Sequence, residues 1–203
     1  MTILLFIIGF LIVITVHEAA HAYVADKLGD PTSRLMGRLT LNPIAHIDPY
    51  GTFLIPFFLI LIGSPLMFGW AKPVPIDPYN LKNPKKDSAL IALAGPAVNI
   101  LLATILSIFV WFGFWNEFIL TLIRLNVVLA VFNLIPIHPL DGGKILVGLL
   151  PAKESSEADI FLQRYGFILL LMLIFPIFGG GSLIGQIIGP IVSIVLRLLL
   201  PSV

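Results

Sequence analysis

Between Ile3 and Ala25 the chain carries one uninterrupted apolar run, long enough to cross a bilayer as a helix, and within it lie His17, Glu18 and His21. Two imidazoles and a carboxylate at that depth are costly unless they pair, bind metal or face water. His17 and His21 stand i, i+4, so on a helix both rings leave one face about a turn apart. That spacing suits two ligands of a tetrahedral Zn²⁺, with Glu18 beside them to take a proton from water. The alternative is a pair of buried histidines satisfied by neighbouring carbonyls.

The rest of the chain supports a membrane setting. Of 203 residues 58% are apolar and 11% charged, with mean hydropathy +1.04, whereas soluble domains carry about 25% charged residues. A net charge of +1 and the lack of a long basic stretch exclude nucleic acid as an expected partner. The chain has no cysteine, so a metal must be held by His, Asp or Glu. The first run lacks a basic n-region and a small-residue cleavage site, and it reads as a retained span. No internal repeat of the transporter kind is visible.

In order along the chain, Asp26 to Pro49 is polar and turn-rich, broken at Gly29-Asp30-Pro31. Gly37–Pro43 alternates apolar and polar residues and predicts a short strand, part of a membrane-associated β-hairpin or re-entrant region. Tyr50–Trp70 is apolar but interrupted by Pro56, Gly63 and Pro65, and Ala71–Ile76 is extended by its prolines. Ser88–Phe112 and Glu117–Ile135 are further spans. A charged loop is expected over Lys153–Arg164, then a helix pair, Tyr165–Phe178 and Leu183–Leu200, joined by Gly179-Gly180-Gly181-Ser182. The expected fold is an all-α polytopic membrane protein with five or six transmembrane helices. It forms one membrane-embedded domain over 1–203, with a core at about 3–150 and a C-terminal helix pair at about 163–200.

Lysine and arginine collect in Lys72–Lys86 and Lys144–Arg164, two loops separated by two spans and therefore on one side. The positive-inside rule makes that side cytoplasmic, with the N-terminus outside and the C-terminus inside. Tyr50–Trp70 then has both ends inside and is expected to be re-entrant. His17 lies 14 residues after Ile3, about 21 Å along a helix, in the cytoplasmic third of a core about 30 Å thick.

A catalytic zinc takes three protein ligands and keeps one position open. Asp141, which ends an apolar span and precedes Gly142 and Gly143, is the best third candidate; its competing role is N-cap of a helix over Lys144–Leu150. His138, three residues earlier, is a rival ligand but reads better as a support behind the ligands or an interfacial residue, and His46 is expected to face solvent. Asn99 and Asn133 could hydrogen-bond a substrate backbone or stabilise a tetrahedral intermediate, or else join helices.

His17-Glu18-Ala19-Ala20-His21, Gly95-Pro96-Ala97-Val98-Asn99 and Asn133–Gly143 together resemble the site-2 protease family of intramembrane zinc metalloproteases. The resemblance implies one Zn²⁺ per chain held by His17, His21 and Asp141, with Glu18 as general base. It also implies a three-helix catalytic core (Ile3–Ala25, Ser88–Phe112, Glu117–Leu150), in a compact member without PDZ or CBS modules. The implied partners are the lipid bilayer and a membrane-anchored substrate, either a single-span regulator or a signal-peptide remnant. A divalent-cation transporter or channel built on the same histidines and Asp141 is the competing function, and a non-catalytic metal site is a third.

Overall fold

The computed structural model describes residues 3–61, 69–114, 116–175 and 182–200. Among the described residues eight α-helices run in order: α1 (Ile3–Leu28), the single turn α2 (Thr32–Leu35), α3 (Ile55–Leu61), α4 (Pro84–Trp111), α5 (Glu117–Asn133), α6 (Asp141–Leu149), α7 (Ala152–Ile174) and α8 (Leu183–Leu199). Of these, α1 and α4 are long and apolar enough to cross a membrane. Helices α5 and α8 have 17 residues each, about 26 Å at 1.5 Å per residue and so just short of a bilayer core. Among the described residues two helices are thus both long and apolar enough to span, against the five or six expected.

α4 is central. α1 lies along one side of it, α5 and α6 along others, with α7 on α6 and α8 on α5. Small residues permit these approaches: Ala22, Ala25, Ala92, Ala103 and Ala130 are all within the buried core. Ala103 and Val110 of α4 meet Ile123 and Val127 of α5, and α8 closes over them with Val192, Val195 and Leu196. Leu140, Leu170 and Ile174 form a second cluster that joins the loop before α6 to α7. The outer faces stay apolar, with Phe6, Ile7 and Ile8 of α1 and Ile105, Ile108 and Phe109 of α4 exposed. An apolar surface this continuous suits lipid and not water.

The described residues contain no strand, which corrects the expectation over Gly37–Pro43; bends and a 3₁₀ turn at Pro43–His46 occupy that region. The reason is repeated Asx-Pro chemistry. Proline presets the first turn while the preceding Asn or Asp side chain accepts from a backbone N–H two residues on. Asn42 Oδ1 accepts from Ile44 N at 3.1 Å, Asp48 Oδ1 from Tyr50 N at 2.9 Å and Asp77 Oδ1 from Tyr79 N at 3.0 Å. Each starts a short 3₁₀ or π-helical turn, the first of them where alternation alone reads as extended chain.

Asp30 ties two of these loops together. It is fully buried and accepts from Thr32 N at 3.1 Å, Asp77 N at 2.7 Å and Asn80 Nδ2 at 2.9 Å. Burial pushes its carboxyl upward, but the hydrogen bonds from Thr32, Asn80 and Asp77 outweigh that and hold it below the ordinary aspartate value. The extended residues 70–76 are fastened by Ser33 Oγ on Pro75 O at 2.7 Å and by the Arg38 guanidinium on Lys72 O and Pro73 O.

After a six-residue π-helix at Pro49–Leu54, the segment read as re-entrant leaves and returns to one place. Trp70 N donates to Gly51 O at 3.2 Å and Thr52 Oγ1 to Trp70 O at 3.0 Å. Residues 62–68 lie outside the described residues, as does the Gly179-Gly180-Gly181 linker. The Lys153–Arg164 loop is instead the first half of α7. Its Lys, Glu, Ala, Gln and Arg residues are strong helix formers, and Pro151 stands at its start.

Candidate metal centre

α1 carries His17 and His21 toward α4, their ring centroids 4.6 Å apart and their planes at 88°. They are 3% and 6% exposed, so no ready supply of water satisfies them. α4 comes close because Gly95 faces the rings; a Cβ there would lie 2.5 Å from both His17 Cε1 and His21 Nε2. Pro96 follows, removing the N–H that would bond Ala92 O and disturbing the preceding turn. In that turn Ile91 O accepts from His21 Nδ1 at 2.7 Å. His17 Nδ1 donates to Asn99 Oδ1 at 2.8 Å.

The third group arrives from far along the chain. After α5 the backbone doubles back through residues 134–140 and starts α6 at Asp141. Gly142 makes this possible, since a Cβ there would stand 2.2 Å from Ile135 O and 2.4 Å from Leu134 O. The helix begins at Asp141 itself and has no side-chain cap. Its carboxylate turns instead to the histidines: Oδ2 is 3.1 Å from His17 Nε2 and 3.3 Å from His21 Nε2, and the two Nε2 atoms are 3.1 Å apart.

The chemistry of this triangle suits a zinc ion. Carbonyl-type oxygens accept only, so both Nδ1 atoms hold protons, and each ring in its neutral form turns a bare Nε2 lone pair to the centre. With both rings neutral, three acceptors face one point, and a cation there relieves their repulsion. Ligands at about 2.0–2.1 Å around a tetrahedral ion sit about 3.4 Å apart, close to the observed edges. Two imidazoles and one carboxylate are a fitting donor set for zinc, and they leave the remaining side free. Among the described residues, His17, His21 and Asp141 form the one such group of three.

Glu18 follows His17, half-buried, and its charge acts on His21 and on the Arg38 guanidinium. Burial lowers the pKa of Arg38 and the opposite charge of Glu18 partly restores it. An open apolar groove of about 460 Å³ is lined by Val16, Ala19, Ala20 and Tyr23 of α1, Leu39, Thr40 and Leu41, and Val98 of α4.

The remaining sequence candidates separate. Asn99 is fully buried, and its Nδ2 donates to Asn126 Oδ1 at 3.0 Å, so both ends of the amide are committed. It supports His17. Asn133 donates to Leu129 O at 3.1 Å, one turn back on its own helix. His138 points away from the centre, with Nε2 3.2 Å from Asp159 Oδ1 of α7. His46, expected in solvent, is 1% exposed, its Nε2 donating to Thr40 O at 2.9 Å. Folding of the Pro43–His46 turn onto Thr40 buries it. Sequence reasoning misses Asn126, although a buried amide in an apolar helix, two turns before Asn133, is a signal that it must have a partner.

Comparison with known proteins bears on this centre. The model of peptidase family M50 matches residues 5–116 and 112–173. The Bacillus subtilis (strain 168) protein named "Putative zinc metalloprotease YwhC" is 39% identical over 180 residues, covering 82% of this chain and 78% of its own length. "Putative zinc metalloprotease Rip2" of Mycolicibacterium smegmatis is 31% identical over 179 residues, 84% of this chain and 66% of that protein. "Zinc metalloprotease MJ0392" of Methanocaldococcus jannaschii is 31% identical over 177 residues, 84% of this chain and 42% of that protein. No solved structure matches the chain.

Proposed function

Because the chain belongs to peptidase family M50, we propose that it is an intramembrane zinc metalloprotease that cleaves membrane-anchored proteins in or near their transmembrane segments. The observation that carries this reading is the triangle of His17 Nε2, His21 Nε2 and Asp141 Oδ2, with edges of 3.1–3.3 Å, inside an apolar bundle.

His17, His21 and Asp141 hold the ion, and Asn99 Oδ1 and Ile91 O hold the two imidazoles in the ligating tautomer. Zinc, when bound, supplies a Lewis acid that polarises the scissile carbonyl and brings the pKa of a water to about 7. Glu18, adjacent to His17 and half-buried, takes the proton of the attacking water and returns it to the leaving amine. Arg38 keeps a positive charge in the field of Glu18.

The apolar groove between α1 and Leu39–Leu41 fits an apolar substrate segment. A helical substrate hides its carbonyls in i→i−4 bonds and must unwind to present one. The bent backbone at Leu39–Leu41 receives the unwound stretch, and Asn133 at the end of α5 is the remaining amide to hold its backbone. Helices α5, α7 and α8 complete the membrane-embedded bundle around α1 and α4. The lysines at the start of α4 set that end on the cytoplasmic side, with the N-terminus outside and the C-terminus inside. The Gly51–Trp70 contact supports a re-entrant Tyr50–Trp70, whose two ends are side by side.

A cation path is disfavoured, because among the described residues no second group of three metal-binding side chains continues it. Glu18→Gln decides between the readings. The variant is expected to bind zinc as before and to lose cleavage of a co-expressed single-span substrate by at least about 10²-fold. Undiminished cleavage removes the assignment. Zinc flux into proteoliposomes that disappears with the same change transfers the site to transport.

A further inference from the structure

We infer that Asn126 of α5 is a positioning residue of the metal centre: through Asn99 it decides which ring nitrogen of His17 carries the proton. The inference deepens the zinc reading above and rests on it for its functional meaning.

The two histidines are oriented by different means. His21 Nδ1 donates directly to a backbone carbonyl, Ile91 O, which can only accept. His17 Nδ1 meets a side-chain amide, which can turn either its oxygen or its nitrogen to the ring. With Oδ1 presented, His17 keeps its proton on Nδ1 and frees Nε2 for the ion. With Nδ2 presented, Nδ1 has to accept, the proton moves to Nε2, and the lone pair needed for ligation is lost.

What selects the orientation lies one helix further out. Asn99 Nδ2 donates to Asn126 Oδ1 at 3.0 Å, and Asn126 Nδ2 donates to Leu122 O at 2.8 Å. Leu122 O is again a backbone acceptor, so the nitrogen of Asn126 must face it. That turns Oδ1 of Asn126 to Asn99, which must answer with Nδ2, which leaves Oδ1 for His17. Polarity therefore runs from a fixed carbonyl on α5, across α4, to α1. Asn99 and Asn126 are fully buried and His17 is 3% exposed, so water cannot substitute for a reversed member. Inverting any one amide sets oxygen against oxygen or N–H against N–H in a dry interior.

A purely structural role, joining α4 to α5, would affect stability and leave the imidazole tautomer alone. The test therefore reads the tautomer. In full-length protein purified in detergent and stripped with a chelator, ¹⁵N chemical shifts of the histidine rings are recorded above the imidazole titration range. His17 and His21 are both expected as Nδ1–H tautomers in the wild-type chain. Asn126→Leu is expected to shift His17 toward Nε2–H, leave His21 unchanged, and weaken zinc binding in chelator competition by about 10–100-fold. Asn126→Asp is expected to restore both readouts, since a protonated carboxyl can donate to Leu122 O and accept from Asn99 Nδ2.

A wild-type His17 found as Nε2–H overturns the inference without any variant having to fold. So does an N126L chain whose His17 tautomer is unchanged, whatever its zinc affinity, and so does failure of N126D to restore the Nδ1–H form. If wild-type protein binds no zinc through His17, the metal reading itself fails, while the ring shifts still decide the relay.

Discussion

Gly95 of α4 lies against the edge of the His17 imidazole with room for a hydrogen and nothing larger, since a Cβ would stand 2.5 Å from Cε1. The same position is 2.5 Å from His21 Nε2, one of the three atoms that converge on the centre. Gly95→Ala is therefore expected to push the rings apart. Zinc affinity by chelator competition should fall by about tenfold or more, and overpacking should cost about 1–3 kcal/mol in thermal or denaturant unfolding. An alanine variant with wild-type zinc affinity would mean that α1 and α4 sit further apart than described.

His138 and Asp141 are three residues apart on one turn, yet only one faces the histidines. Asp141→Asn should reduce zinc content sharply, because an amide lacks the charge that the two neutral rings need from a third ligand. His138→Ala should keep one zinc per chain. Its partner Asp159 is 39% exposed, so the lost pair should cost no more than about 1 kcal/mol. Metal analysis of both purified variants checks this, and zinc loss in His138→Ala would restore it as a ligand.

Asp30 carries a pH signature. Its carboxyl lies below the ordinary aspartate range in the folded chain, so its contribution is complete above the unfolded value and is lost as pH falls through the folded one. Asp30→Asn should destabilise the protein by about 2 kcal/mol at neutral pH. The gap between variant and wild type should close below about pH 4. Unfolding curves of both proteins at neutral and acidic pH measure it, and a gap that widens with acid would contradict the hydrogen-bond pattern.

Arg38 is 5% exposed and reaches the carbonyls of Ala45, Lys72 and Pro73. Lysine has the charge but not the planar fork, so Arg38→Lys should loosen the extended residues 70–76. Amide exchange should rise at Lys72, whose N–H bonds His46 O at 2.9 Å. Helix α4 should be unaffected. Uniform exchange rates across both would deny the arginine this role.

What could be read in advance followed from spacing within a single element. His17 and His21 share a helix face by arithmetic, and Asp141 is marked by Gly142 and Gly143, which open α6 and let it pack closely against the backbone of residues 134–138. The Asn99–Asn126 contact has no such local sign, because it depends on how far α4 and α5 are rotated about their axes. Alternation over Gly37–Pro43 misleads because Asn42-Pro43 spends its hydrogen bonds on a local turn and leaves none for a ladder. His46 was misplaced for the same reason: the turn that begins at Asn42 folds it inward onto Thr40. The start of α7 was hidden by charge, since helix-forming residues in a polar run look like a loop until a neighbour, here α6, gives them a surface.

His17 and Asp141 are separated by 124 positions in the chain, so an ion held between them closes most of the polypeptide into a ring. Such a clasp ties α6 to α1 in the folded chain and is released when the chain unfolds. Starving the protein of metal would then unbutton its architecture, detaching the α6 end from the helix that opens the chain, and its heat tolerance would track the concentration of free zinc.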